Sequence, residues 1–503
     1  MPLFNSIVKY ILLKRMKRIE YFMRNPHVVQ QKVFDQLIEA GKETAWGQEH
    51  QYGSIKSPED FKKRVPVSDY SSLKPYIDRC IQGEDNILWN TPVKWFAKSS
   101  GTTSDRSKFI PMTKESLHDC HFKGGTDMLS MFCNMKPDTE MFSGKSLALG
   151  GSSKISREKN HKYMVGDLSA VIIENLPIWA EYVRTPGKEV TLHDKWEEKI
   201  DRMAEIAKEK NVTSISGVPS WTLVLLKKLL EITGKQNIKQ VWPGLEVFFH
   251  GGVNFTPYRE QYNQVIPEGE VSYVETYNAS EGFFAIQDRE KSDELLLLLD
   301  YGIYYEFMPL DQLNEKYPNT LGLQEVKTNT NYALIITTNG GLWRYLIGDT
   351  VQFTSLDPYR IQVTGRTKNF INAVGEEIII DNAEKAMAAA AEQTGAVVNE
   401  YTAAPVYFSK KENAAHEWLI EFEQEPDSLE KFSRVLDETL RAVNSDYDAK
   451  RYQDMVLRNP VVKAVPRNTF YHWMKQRGKL GGQHKVPRLA NDRKHIEQIL
   501  KLI

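Results

Sequence analysis

Three cysteines in 503 residues, Cys80, Cys120 and Cys133, with no Cys-x-x-Cys pair, leave nothing from which to build a thiolate zinc site or a disulfide framework. They suit a reducing compartment. An excess charge of one sign is lacking as well, since 65 Lys and Arg against 66 Asp and Glu give a formal net charge of -1. No global field draws the chain to nucleic acid or anionic lipid, so any anion site has to be local. No apolar run is long enough to cross a bilayer. The nearest, Ser6 to Met16, is interrupted by Lys9 and lacks a following small-residue cleavage site. Packing of an amphipathic helix on the body is the first expectation there, and contact with a membrane surface the second. Internal repeats, low-complexity tracts and a GxxxxGK[ST] sequence are all missing, which disfavours a P-loop NTPase. A cytoplasmic protein with no nucleic-acid partner and no membrane span is expected.

What is present is core material: 41% hydrophobic residues, with 23 Tyr, 21 Phe and 10 Trp. The length suggests roughly two to four domains. Asn25-Pro26 starts a helix whose apolar positions Val29, Val33 and Leu37 share a face before Gly41. Helices are predicted over Lys114 to Cys133, over a capping-box start at Asp194 and Glu197 with Ile200, Met203 and Ala207 on one face, and from Ser220 to Gly234. Strands are predicted at Leu245 to Phe249, Val271 to Glu275, Leu295 to Leu299, Ile303 to Phe307, Ala333 to Thr337 and Leu342 to Ile347, the last ending at Gly348-Asp349. After about Gly365 the pattern becomes a compact α+β segment: a helix capped by Asp381, a strand at Trp418 to Ile420, a helix from Leu429 to Val443 and a strand near Val461.

The chemistry-bearing stretch runs from Lys98 to Lys108, with Ser99, Ser100, Gly101, Thr102 and Thr103 at its head. Short hydroxylated residues beside glycine let backbone amides approach an anion, and a helix expected directly afterwards would add its N-terminal N–H groups. The plainer reading of such a run is an ordinary turn. His250-Gly251-Gly252 follows a buried strand as a tight turn, where α/β proteins hold ligands, and His250 suits an orienting role better than a metal-ligand role. Tyr277 can cover a flat ring and Glu281 can hold Mg²⁺ through its carboxylate. Asp349 can accept hydrogen bonds from vicinal hydroxyls, or else form an Asx turn. Between Lys463 and Lys494 nine Lys or Arg stand against Asp492 alone, and Gly478, Gly481 and Gly482 make the stretch around Lys479 and Lys485 a basic loop suited to phosphate.

The order Ser99-Ser100-Gly101-Thr102-Thr103, Tyr277 to Glu281, Tyr345 to Asp349 and Gly365-Arg366-Thr367-Lys368 resembles the adenylate-forming superfamily of acyl-CoA synthetases, adenylation domains and luciferases. With Gln483 to Arg488 it is more similar to the auxin-responsive Gretchen Hagen family of acyl-acid amido synthetases, over nearly the whole chain. The resemblance implies an α/β fold with a large N-terminal adenylate-forming domain of mixed sheets and flanking helices (1–364), a hinge (365–368) and a small mobile α+β C-terminal domain (369–503). It implies ATP and Mg²⁺, a small carboxylic acid and an amine acceptor, usually an amino acid. Ser99, Ser100, Gly101, Thr102 and Thr103 would hold phosphates, Gly251, Gly252 and Tyr277 would flank adenine, and Ser280, Asp349 and Arg366 would complete the nucleotide site. Glu281 would carry the metal, Gly365, Arg366 and Lys368 the hinge, and Lys485, with Lys479 as alternative, the charge on the α-phosphoryl group. The plant family usually has Tyr-Ala-Ser-Ser-Glu where this chain has Asn278 and Ala279, so the acyl pocket's edge is expected to differ and no plant hormone follows as substrate. A thioester-forming ligase and an inactive nucleotide-binding scaffold are the alternatives.

Overall fold

The computed structural model describes residues 2–503 except 100–107, 152, 159–160, 178–179, 194, 253–254, 256–258, 314, 316, 368–369, 377, 408–413, 455 and 478–485. An 11-stranded mixed sheet dominates. Its parallel half sets Ser272–Ala279 beside Val247–Gly251, Val212–Gly217, Lys145–Ala148 and Arg184–Thr185. The antiparallel half continues through Gly282–Ile286, Leu295–Leu297, Tyr359–Arg366, Tyr345–Leu356, Asn331–Thr338 and Ile303–Pro309. A second sheet of four strands pairs Lys108–Met112, Trp95–Ser99, His161–Gly166 and Ser153–Glu158.

Helices cover both faces of the parallel half, which is why its central strands carry near-continuous apolar runs instead of alternation. Phe248 packs with Leu223 and Leu226 of the helix Pro219–Thr233 on one face, while Val247, Phe249 and Val274 pack with Phe132 of the helix Lys123–Met135 on the other. At the far edge the helix Pro26–Gly41 lies against Ile303–Pro309. Its buried Gln30 amide donates to Leu299 O and Ile303 O, both at 2.9 Å, and accepts from Tyr305 N. Buried backbone groups beside the sheet edge are thereby paired. Gly41 proves to be the helix's last residue, with Trp343 so close that an added Cβ would meet the indole at 2.5 Å.

Beyond Arg366 a separate three-stranded sheet, Val397–Val406, Ala415–Gln424 and Val461–Val465, packs with the helices Ile380–Thr394 and Leu429–Val443. That first helix begins at Ile380, so Asp381 lies inside it and not before it. Among the described residues no helix is long and apolar enough to cross a membrane.

The other differences from expectation are local. The helix Trp196–Ala207 buries Ile200, Met203 and Ala207 as expected, but Asp194 lies outside the described residues. Ser272–Ala279 runs past Glu275, so Tyr277 stands within a strand. Tyr345–Leu356 starts later and ends later than expected, so Asp349 is not at its end. Hydrogen bonding across the sheet extends these strands past the glycine and polar residues that mark breaks in a linear pattern.

Candidate active site

The hydroxyl run joins two antiparallel strands, with Ser99 opposite Lys108 in register. Ser100, Gly101, Thr102 and Thr103 lie outside the described residues. The run is not followed directly by a helix, as expected from sequence: the strand Lys108–Met112 intervenes before the helical stretch whose residues Ser116–Phe122 wind as π turns. The grip expected there would therefore rest on hydroxyls, hairpin amides and cations.

One such cation, Lys108, is missed by motif reading although it closes the run. Its side chain is buried, with Nζ 3.5 Å from the Tyr345 hydroxyl and 6.0 Å from the centre of the Tyr70 ring. Tyr70 is itself held by Phe109, whose N–H donates to its hydroxyl at 2.9 Å. Tyr345 is fully buried, and its backbone is fixed by Ser68, which donates to Arg344 O and accepts from Leu346 N. Burial first, then the carboxylate of Glu281, with Asp69, Tyr70 and Asp349 adding, hold the Tyr345 phenol neutral well above its ordinary range. Lys108 thus lies beside a phenol on which the charges of Glu281 and Asp349 both act.

Glu281 is buried in the tight turn between Ser272–Ala279 and Gly282–Ile286, with Ser280 beside it. Two residues before Ala279, Tyr277 is also buried, tilted against Phe284 at 4.8 Å, and its hydroxyl donates to Asp349 Oδ2 at 2.7 Å. Asp349 owes its position to Gly348, whose φ of +99° is open to glycine but costly for side chains. The Gly348 carbonyl accepts from Thr367 N, and the Asp349 backbone stands opposite Arg366 in the strand register. Gly365 and Arg366 are therefore the last residues of a strand, while Lys368 lies outside the described residues.

His250 and Gly251 belong to the strand Val247–Gly251, and the turn begins two residues later than expected, at Gly252 with φ +81°. At Gly251 a Cβ would meet the carbonyl oxygen of Thr276, its partner in the next strand, at 2.3 Å, so the close approach of the two strands requires glycine there. His250 stacks on Phe255 at 4.3 Å, and burial, helped by Arg259, pushes its imidazole down to about 3. Its place is that of a neutral packing residue. Glu275, aligned with His250 across the strand pair, is a second group missed by motif reading. Burial, then Asp293, push its carboxyl up to about 7 against the pull of Arg259.

Lys479 and Lys485 lie outside the described residues. The segment that leaves their loop is pinned to the strand Val397–Val406: Ala403 N donates to Arg488 O, Ala490 N to Ala403 O, and Thr402 Oγ1 to Pro487 O. Nearer the strand end at Arg366, buried Glu376 accepts from Ala373 N and Val374 N, each at 2.7 Å, and pairs with His416 at 2.5 Å.

The donor set suits a metal that arrives with a nucleotide. Among the described residues no group of three His, Cys, Asp or Glu could form a protein cage. A single buried carboxylate at Glu281 is what Mg²⁺ takes when phosphate and water supply its remaining ligands.

A mixed sheet with a parallel half, a second sheet of four strands and a small C-terminal α+β unit is the fold of the adenylate-forming ligases. The solved GH3.15 acyl acid amido synthetase matches it with a TM-score of 0.61 at 18% identity, covering 97% of this chain and 96% of that one. A 2-hydroxyisobutyryl-CoA ligase matches with a TM-score of 0.54 at 14% identity, covering 94% and 91%. The chain belongs to the GH3 family, whose N-terminal, central and C-terminal domain models match residues 15–271, 296–366 and 381–494. Its curated relatives include the indole-3-acetic acid-amido synthetase GH3.3 of Arabidopsis thaliana, 23% identical over 95% of this chain and 92% of that protein. The 4-substituted benzoates-glutamate ligase GH3.12 of the same plant is 23% identical over 96% of each.

Proposed function

We propose that the chain is an adenylate-forming ligase of the acyl-acid amido synthetase type. It activates a carboxylic acid with ATP to an acyl-adenylate and passes the acyl group to an amine, with an amino acid as the favoured acceptor. The observation that carries this reading is the hydrogen bond that joins Tyr277 to Asp349, with Glu281 and Lys108 buried as well, within a chain that belongs to the GH3 family.

In the first half-reaction an acid oxygen attacks the α-phosphorus and the bond to pyrophosphate breaks. In the second an amine attacks the acyl carbon, AMP leaves, and the amine loses a proton. Neither step needs a covalent protein nucleophile. The chain's contribution is to position the reactants and to place charge where charge develops. Tyr277 and the Gly251-Gly252 backbone flank the base, and Asp349, braced by Tyr277, accepts from the ribose. Ser280 and Arg366 complete the nucleotide site. The hydroxyls of Ser99, Ser100, Thr102 and Thr103, with the Gly101 backbone, hold the phosphates, and the Lys108 ammonium adds positive charge. Glu281 would hold Mg²⁺, which when bound offsets phosphate charge. The segment 365–368 is the hinge between a large domain at 1–364 and a small one at 369–503, and closure of the small domain brings Lys485 to the α-phosphate.

Labelled pyrophosphate should exchange into ATP in the presence of a competent acid, found by screening a panel of carboxylic acids. Mass spectrometry of products with amino acids or coenzyme A then identifies the acceptor. Release of ADP and phosphate with no AMP would sink the assignment, and a coenzyme A thioester as sole product would replace the amine by a thiol.

A further inference from the structure

The first helix, Pro2–Leu13, is inside out. It lies on the helix Lys123–Met135 and the turn Met141–Ser143, and polar groups make much of the join. Asn5 is buried, donating to Thr139 O at 3.0 Å and accepting from Phe142 N, and Lys9 Nζ donates to Pro137 O. Leu12 also points inward. Among the described side chains three large apolar residues point outward instead: Ile7 is 50% exposed, Tyr10 64% and Ile11 58%. Positions 7, 10 and 11 share one helical face, so these residues form a single stripe. Lys14 extends that stripe and lies with its ammonium 4.2 Å from the centre of the Tyr10 ring.

Charge along residues 2–24 is mostly of one sign, while exposed Asp138 and Glu140 flank the segment on which the first helix packs. Residues 2–24 hold Lys9, Lys14, Arg15, Lys17, Arg18 and Arg24 against the single acid Glu20. Arg15 and Arg18 are tied to buried Asp127, and Arg24 to Glu20. Lys14 and Lys17 are exposed beside the apolar stripe. Nearby, Tyr21 is 54% exposed.

We propose that this face docks on an anionic lipid surface, the helix lying in the headgroup layer with Ile7, Tyr10 and Ile11 inserted and Lys14 and Lys17 on the phosphates. An apolar stripe flanked by tyrosine and free ammonium groups is the chemistry of an interfacial helix. A second copy of the chain fits worse. A two-fold contact through this stripe would set Lys14 and Lys17 near their own symmetry mates, with only Glu20 to offset them.

The test is co-sedimentation of the full chain with phosphatidylcholine vesicles, with and without about one-third phosphatidylserine, at low and high salt. Ile11→Glu and the pair Lys14→Glu with Lys17→Glu change only exposed groups, so melting temperature should be kept. Binding should require phosphatidylserine, weaken with salt, and fall at least about tenfold in each variant. Equal recovery with and without vesicles overturns the proposal. So does a concentration-dependent dimer that Ile11→Glu dissociates, which would make the face a self-contact.

Discussion

The Tyr277 hydroxyl donates to Asp349 Oδ2 at 2.7 Å across 72 residues of sequence, tying the strand Ser272–Ala279 to the strand Tyr345–Leu356. A phenol bonded to one carboxylate oxygen fixes the rotation of the whole group, so its acceptor directions are set before a diol arrives. Tyr277→Phe keeps the ring and removes the brace. A hydrogen bond to a charged group contributes about 1.5–3 kcal/mol, so KM for ATP in pyrophosphate exchange should rise about tenfold to a hundredfold while kcat changes little. An unchanged KM would show that the bond is incidental to nucleotide binding.

Lys108 and Tyr345 should act as a unit. The phenol's oxygen lies 3.5 Å from the buried Lys108 ammonium, and Glu281 bears on the same phenol. Tyr345→Phe and Lys108→Met should each slow adenylate formation, and the double variant should be no worse than the more damaging single one. Coupled neighbours depart from additivity by about 0.5–3 kcal/mol, which a double-mutant cycle on kcat/KM resolves. Additive losses would separate the two residues.

The linear pattern exposed the helices and the class of fold because apolar periodicity and caps are local signals: Leu429–Val443 and Pro219–Thr233 begin and end almost where expected. Strand ends were less legible. Gly348 looks like a terminator, yet hydrogen bonds from Thr367 and pairing with Tyr359–Arg366 carry the strand eight residues beyond it, from Gly348 to Leu356. The family motifs identify Glu281, Tyr277 and Asp349 but not what holds them. Lys108 and Glu275 carry no motif, and their importance comes from burial and from neighbours distant in sequence. Only the cation's position at the foot of the run could have pointed to Lys108.

Glu275 makes a pH prediction with a definite sign. Its carboxyl is pushed from 4.5 up to about 7 by burial and by Asp293, so the folded state holds the proton more tightly than the unfolded chain. Its contribution to stability is full below the unfolded value and is lost as pH rises through about 7. Glu275→Gln, neutral at every pH, should therefore melt higher than the parent at about pH 8, by on the order of 1–3 kcal/mol, and almost equally near pH 4.5. A pH-independent difference in melting temperature would mean that the carboxylate is not held uncharged.

Glu281→Gln keeps shape and removes charge at the buried turn. Adenylation should fall by orders of magnitude while the melting temperature stays nearly constant, because the carboxylate is expected to serve the metal more than the core. Titrating nucleotide with and without Mg²⁺ separates the effects: the parent's gain in affinity from Mg²⁺ should disappear in the variant. Full activity at low Mg²⁺ would move the metal site elsewhere.

The basic loop sets the last prediction, and its exit shows why Lys485 is favoured over Lys479. Thr402, Ala403 and Ala490 fasten residues 487–490 to the strand Val397–Val406, so Lys485 lies two residues from a fixed point and Lys479 eight. A cation close to an anchored strand can be delivered to one place when the small domain closes. Lys485→Ala should depress adenylate formation by about two to three decades, or roughly 3–4 kcal/mol by analogy with loss of an oxyanion donor. ATP binding and attack of an amine on a supplied adenylate should be largely intact, because the charge in question develops on the α-phosphoryl group during the first step only. Thr402→Val, which frees the anchor without touching the lysine, should reproduce part of the loss. If Lys485→Ala is nearly silent and Lys479→Ala shows the deficit, the role passes to Lys479. If neither matters, the closure itself is wrong.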